Sequence, residues 1–203
     1  MKGKSTEQLL KWMDIVRRDI GSLVVHWTRS KYDLDAPKSE PPQQDALKVL
    51  TKILDEGMLR GSDSFIKGGY KCICFTEAPI SEIAPLFKTF KVLENQRYEP
   101  FGIAVDKKWL FQKGGRPVIY QSDAEFDLLP ETMKWKHSLY EPGEIDFTWE
   151  REWRVHTESL KLDPARTMVI VPNHQYAFDL MNRYKTKSGP SRWIVIPLDH
   201  FGL

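Results

Sequence analysis

The chain has 203 residues, with 30 Lys+Arg against 28 Asp+Glu and 41% hydrophobic residues. This is the balance of an ordinary globular protein, and it excludes disordered, collagen-like and repeat compositions. One core burying roughly 70% of the unfolded chain's surface is enough at this length without a disulfide or metal staple, so a single domain over 1–203 is expected.

Ser5 is placed to cap a helix over 6–20, whose apolar residues Leu9, Leu10, Met13, Val16 and Ile20 follow helical spacing and which Gly21 ends. The β-branched and aromatic run 23–28 reads as a strand. The stretch 29–42, with Pro37, Pro41 and Pro42, reads as a loop. Ala46, Leu47, Val49, Leu50, Ile53 and Leu54 predict a second helix stopped at Gly57. Gly68-Gly69 leads into a strand over 70–76, and Pro79 and Ser81 open a helix reaching about Phe90. Beyond it, strands are expected at 101–105, 117–121, 147–156, 168–171 and 193–198, and helices at 107–112, 124–139 and 174–185. Seven strands and about six helices without regular alternation predict a mixed α+β fold, with largely antiparallel sheets flanked by helices.

Several function classes drop out. No apolar run approaches the ~18 residues of a membrane helix. Charged residues interrupt the first twenty, so no signal peptide is read and a cytoplasmic protein without membrane contact is expected. Neither a G-x-G-x-x-G nor a G-x-x-x-x-G-K-[ST] run occurs, which argues against Rossmann and P-loop enzymes. Cys72 and Cys74 share one strand face, too far apart for easy bridging, and are read as reduced thiols without a zinc signature. Net charge +2 and a pI near 8.4 fall short of the pI above about 9 of dedicated nucleic-acid binders. Residues 123–158 carry ten acids against four cations, unsuited to lying along a polyanion. Arg183 to Lys187 with Arg192-Trp193 forms a modest basic track or a solvated helix end.

Three segments place polar groups where apolar ones are the default. In Val25-His26-Trp27-Thr28, strand alternation puts His26 and Thr28 on one face; a satisfied half-buried histidine fits the same pattern. In 69–77, glycines precede a strand ending in Thr76-Glu77, as at a ligand approach or an ordinary turn. In Thr148-Trp149-Glu150-Arg151-Glu152-Trp153-Arg154, an unbroken strand puts Glu150, Glu152 and Arg154 on one face. Two carboxylates at that spacing raise each other's pKa, as at functional sites, unless Arg154 neutralises them as an ion pair.

The order of these segments resembles the ADP-ribosyltransferase superfold. The matching residues are Val25-His26-Trp27-Thr28, then Ile53-Leu54-Asp55-Glu56-Gly57-Met58-Leu59, then Ile73-Cys74-Phe75, then Glu152. They follow the H-Y-E pattern, with Cys74 at the tyrosine and Trp27 at the glycine after the histidine. Glu150-x-Glu152 is similar to the E-x-E of arginine-directed transferases. Glu150-Arg151-Glu152-Trp153-Arg154, with Cys74-Phe75-Thr76-Glu77, is similar to bacterial abortive-infection phage-defence proteins.

The resemblance implies an ADP-ribosyltransferase-like fold, NAD as cofactor and transfer of ADP-ribose to a macromolecular acceptor, protein or nucleic acid, by a toxin or phage-defence effector with a cognate antitoxin or toxin partner. By the family pattern Glu152 binds the ribose 2′-hydroxyl and stabilises the oxocarbenium-like transition state, and Glu150 positions or deprotonates the acceptor. His26 bonds the adenosine ribose, backbone groups at Trp27 grip the nicotinamide amide, and Thr28 supports that backbone. In place of the tyrosine that Cys74 replaces, Tyr70 or Phe75 supplies the stacking face, and Arg29 meets the pyrophosphate. Two alternatives keep the same pocket: an NAD glycohydrolase using water, and a non-catalytic binding or antitoxin module.

Overall fold

The fold is that of a computed structural model, which describes residues 21–28, 42–87, 98–187 and 189–201. The helix expected over 6–20, Arg29 with nearly all of the loop 29–42, and the end of the helix expected to reach Phe90 lie outside them.

The described chain runs β1 (Leu23–Trp27), α1 (Pro42–Glu56), β2 (Met58–Arg60), β3 (Cys72–Thr76), α2 (Ile80–Ile83), β4 (Gly102–Asp106) and α3 (Lys107–Gln112). It continues with β5 (Arg116–Pro117), β6 (Ile119–Gln121), α4 (Glu131–Lys134), β7 (His137–Leu139), β8 (Glu152–His156), β9 (Ser159–Lys161) and β10 (Thr167–Val171). It closes with α5 (His174–Arg183), β11 (Lys185–Thr186), β12 (Gly189–Ser191) and β13 (Ile194–Pro197).

Seven strands form one sheet in the order β13-β10-β4-β1-β3-β8-β5, and β2–β9, β6–β7 and β11–β12 make three small ladders. In the main sheet every pairing is antiparallel except β10 with β13. The fold is therefore α+β around a mostly antiparallel sheet, as expected, and each of the seven expected strand segments contributes to it. Alternation sorts the core by face. Val24, Ile73, Phe75, Ile103, Val105, Val155 and Val169 pack one face against Leu50 and Leu54 of α1 and Ala177 and Leu180 of α5. Val25, Trp27, Ala104 and Ile170 pack the other face against Ile83, Phe87 and Leu198. Burial of such side chains is worth about 1.5–3 kcal/mol each, which fixes strand registry, since a one-residue slip would invert both faces. Gly57, at φ 62°, ends α1 in the left-handed conformation that glycine adopts without steric cost.

Four expected elements differ. The strand over 147–156 is a 3₁₀ turn, Thr148–Glu150, followed by Arg151 in the left-handed region and only then by β8. Asp146 starts that turn, its carboxylate accepting from the N–H and hydroxyl of Thr148. The helix over 124–139 is a 3₁₀ turn capped by Ser122 and Glu125, a short α4 opened by Pro130, and then β7. Pro130 lacks the N–H and disfavours helix for the residue before it. The strand over 117–121 divides between β5 and β6. The helix opening at Pro79 is interrupted after Ile83 by a turn at Ala84-Pro85.

Candidate functional site

β1 pairs with β4 at five consecutive positions and β3 pairs with β8 at five, yet the backbone ladder between β1 and β3 has a single pair, Val25 opposite Thr76. Beyond that point the sheet parts into two leaves. The N–H of Thr28 donates to Phe101 O on the β4 side at 2.8 Å. Antiparallel alternation therefore turns the N–H and C=O of Trp27 the other way, toward the parting. The Cys74 carbonyl on the opposite lip accepts instead from His26 Nδ1 at 2.8 Å, so that nitrogen carries a proton. The parting opens into a cavity of about 880 Å³, in the range of small-molecule and cofactor sites. His26 and Thr28 line one lip, Cys74 and Thr76 the other, and Glu150 and Glu152 stand beyond β3. Arg60, Ser62, Lys67, and His137 and Ser138 of β7 add to its polar lining.

Register places Glu152 opposite Thr76 and Arg154 opposite Cys74, on the sheet face that carries Val25 and Trp27. Arg154 Nε donates to Glu152 Oε1 at 2.8 Å and Nη2 to Oε2 at 3.1 Å, a two-pronged pair. Its Nη1 donates to His137 O at 2.6 Å and Trp135 O at 3.1 Å. A guanidinium matches a carboxylate in this forked geometry better than any other side chain, and four contacts fix Arg154, itself 4% exposed. The main-chain N–H of Glu152 donates to Tyr120 Oη at 2.9 Å. Glu152 thus enters the cavity as an oriented, charge-compensated carboxylate. Burial pushes the Tyr120 hydroxyl up to about 12, so it stays protonated at neutral pH.

Glu150 reaches the same cavity by another route. It is 6% exposed and sits at the end of the 3₁₀ turn, and Tyr98 Oη lies 3.1 Å from each of its carboxylate oxygens. Its carbonyl accepts from the N–H of Glu77 at 3.1 Å, which ties the turn to the end of β3. Arg151 turns the chain between the two acids at φ 47°, a conformation costing a non-glycine residue about 1–3 kcal/mol and concentrated at functional sites. The expected common face of Glu150, Glu152 and Arg154 on one strand is therefore corrected. The two carboxylates converge on one cavity because the backbone bends between them.

Thr28 lines the cavity while its hydroxyl donates to Phe101 O at 3.0 Å, bracing the strand end. The Trp27 ring is turned into the core edge-on to Phe87, at 5.1 Å between centroids. Room for it exists because residue 102 is glycine: a Cβ there would lie 2.9 Å from Trp27 Cε3. Phe75 is buried edge-on to His26 at 5.8 Å. Tyr70 lies outside the cavity lining, with its hydroxyl on Glu131 and its ring against His156, so of the two expected stacking rings only Phe75 is at the site. Both thiols are free, and burial raises them, Cys72 to about 11 and Cys74 higher. Neither is a nucleophile at neutral pH.

Tyr98 and Tyr120 went unrecognised in the sequence. Tyr98 lies 52 positions from the Glu150 that it binds, with no local periodicity to mark it, whereas Tyr120 stands in a segment already expected to be a strand. Comparison of the chain with protein-family models, with curated proteins and with solved structures finds no match.

Proposed function

We propose that the cavity is an NAD site and that the chain is an ADP-ribosyltransferase acting on a macromolecular acceptor, in the manner of a toxin or phage-defence effector. The observation that carries this is the parted sheet, with His26 on one lip and a fixed Glu152 across the opening. NAD ribose and amide groups need donors and acceptors on both sides, and backbone released from a ladder supplies them without further desolvation. The amide of nicotinamide meets the N–H and C=O of Trp27, and His26 meets the adenosine ribose.

The chemistry is the loss of nicotinamide. The bond between ribose C1′ and the pyridinium nitrogen breaks, its electron pair leaves with neutral nicotinamide, and positive charge develops across the ribose ring. Glu152 stabilises that charge through the 2′-hydroxyl, and Arg154 keeps the carboxylate aimed there. Glu150 takes the proton of the incoming acceptor as its nucleophilic atom bonds to C1′. A water in the acceptor's place gives free ADP-ribose.

One observation favours a second possibility. Both carboxylates are engaged by protein, Glu152 by Arg154 and Glu150 by Tyr98, and Cys74 stands where a stacking tyrosine is the family pattern. A non-catalytic nucleotide- or partner-binding module has those properties. Nicotinamide release by the wild-type chain and by Glu152→Gln, with and without cell lysate, separates the two. Release by wild type alone supports a catalytic Glu152, and dependence on lysate supports transfer over hydrolysis. No release, with no shift of the melting temperature by NAD, rejects the NAD site.

A further inference from the structure

At the margin of the sheet away from the parting, β10 and β13 are the parallel pair, with Val171 opposite Pro197. Their carboxyl ends therefore point the same way, and the chain segments that follow them emerge side by side. The chain leaves β10 through Asn173, whose side chain caps α5 by accepting from the N–H groups of Gln175 and Tyr176, and His174 is the first residue of that helix. It leaves β13 into the 3₁₀ turn Leu198–Phe201, which carries Asp199 and His200. Three side chains with metal-binding chemistry are thereby brought together by two rigid elements.

Their geometry is close. Asp199 Oδ2 lies 2.6 Å from His174 Nδ1 and accepts from the main-chain N–H of His174 at 3.2 Å. The rings of His174 and His200 stand edge to face, 4.6 Å between centroids. One ligand atom from each of His174, Asp199 and His200 lies within 4.8 Å of the others. Tetrahedral zinc, with bonds of about 2.0–2.1 Å to nitrogen and oxygen, sets its ligand atoms roughly 3.3 Å apart, a gap that side-chain rotation closes. Two imidazoles with one carboxylate suit zinc, cobalt or nickel, whereas calcium and magnesium prefer all-oxygen sites. The carboxylate already has a main-chain partner, the kind of outer contact that orients a metal ligand.

We propose that His174, Asp199 and His200 form a three-ligand site for a divalent transition ion of the zinc class. The cation takes the place of the proton between His174 Nδ1 and Asp199 and draws His200 in as the third ligand. A fourth position stays open to water, and the start of α5 is clipped to the turn after the edge strand. This site is independent of the NAD cavity and of what that cavity does.

Isothermal titration of the untagged wild-type chain with zinc chloride tests it, with magnesium chloride as the control. One zinc per chain is expected, weakened at least ~10-fold by His174→Ala and by His200→Ala and unchanged when Cys72 and Cys74 are both replaced by alanine. With cobalt in place of zinc, the visible d–d absorption should vanish in His200→Ala, and no thiolate charge-transfer band should accompany it. The two histidine side chains are at the surface, so both variants are expected to fold, and their circular dichroism checks this. Absence of zinc binding by wild type, undiminished binding by both histidine variants, or loss of binding with the cysteines would each overturn the site.

Discussion

Arg154→Leu tests the electrostatic framework of the cavity without reference to any ligand. The Arg154 and Glu152 side chains are 5% and 14% exposed, so the guanidinium is withdrawn from water and the carboxylate meets it only where it lines the cavity. Removing the guanidinium strands the Glu152 carboxylate and takes a donor from the carbonyls of Trp135 and His137. Breaking a buried pair from one side costs about 3–5 kcal/mol. For a chain of this length each kcal/mol moves the melting temperature by roughly 2–4 °C, so a fall of about 6–20 °C is expected by calorimetry. Adding Glu152→Leu to the same chain removes the stranded charge, and replacing a buried pair by apolar side chains is often neutral. The double variant should therefore regain most of the loss, leaving a large coupling energy in the double-mutant cycle. If Arg154→Leu unfolds within ~1 kcal/mol of wild type, the pair is solvated and the picture of Glu152 as a fixed carboxylate is wrong.

Three other outcomes are expected. Glu152→Gln should lower nicotinamide release by about 10²-fold or more, the scale of one transition-state contact, while NAD still shifts the melting temperature; full activity in this variant would reject Glu152. His26→Ala removes the ring that spans the parting to Cys74 O and should weaken the apparent NAD affinity more than the maximal rate, and an unchanged affinity would reject its role. The buried thiols make stability fall in mild alkali. An unfolded thiol titrates near ~8.5 but Cys72 only at about 11, so over this window the unfolded chain binds fewer protons and native stability drops as pH rises. The urea midpoint should decline from pH 8.5 toward 11 and decline less when both cysteines are replaced by alanine.

The strands were legible because the core is sorted by simple alternation: Val24 and Val25, or Val169 and Ile170, face opposite sides and were readable as β-branched runs. His26 with Thr28, and Glu152 with Arg154, were legible as polar pairs for the same reason. The bend between the two acids was not. From 147 to 156 the side chains alternate as a strand would, and nothing local marks Arg151 for φ 47°. That conformation is imposed by the hydrogen bond tying Glu150 to Glu77 and by the Asp146–Thr148 turn. The helix read over 124–139 failed at Pro130, where the apolar spacing continued but the backbone could not. The parting of β1 from β3 is invisible to any windowed reading, since it concerns which strands stop pairing rather than which residues form strands.

A sheet joined at one residue pair also has a mechanical and kinetic character. One leaf, β13-β10-β4-β1, and the other, β3-β8-β5, each keep their own ladders whatever happens at Val25 and Thr76. One apolar cluster spans both leaves, but the single pair between them is the weak point of the ladder, and proteins open locally at such points at free energies below that of global unfolding. Native-state hydrogen exchange is expected to find the Val25 and Thr76 amides exchanging through a cheaper opening than Val105 or Val169. Equal protection at all four would mean that the two leaves move as one.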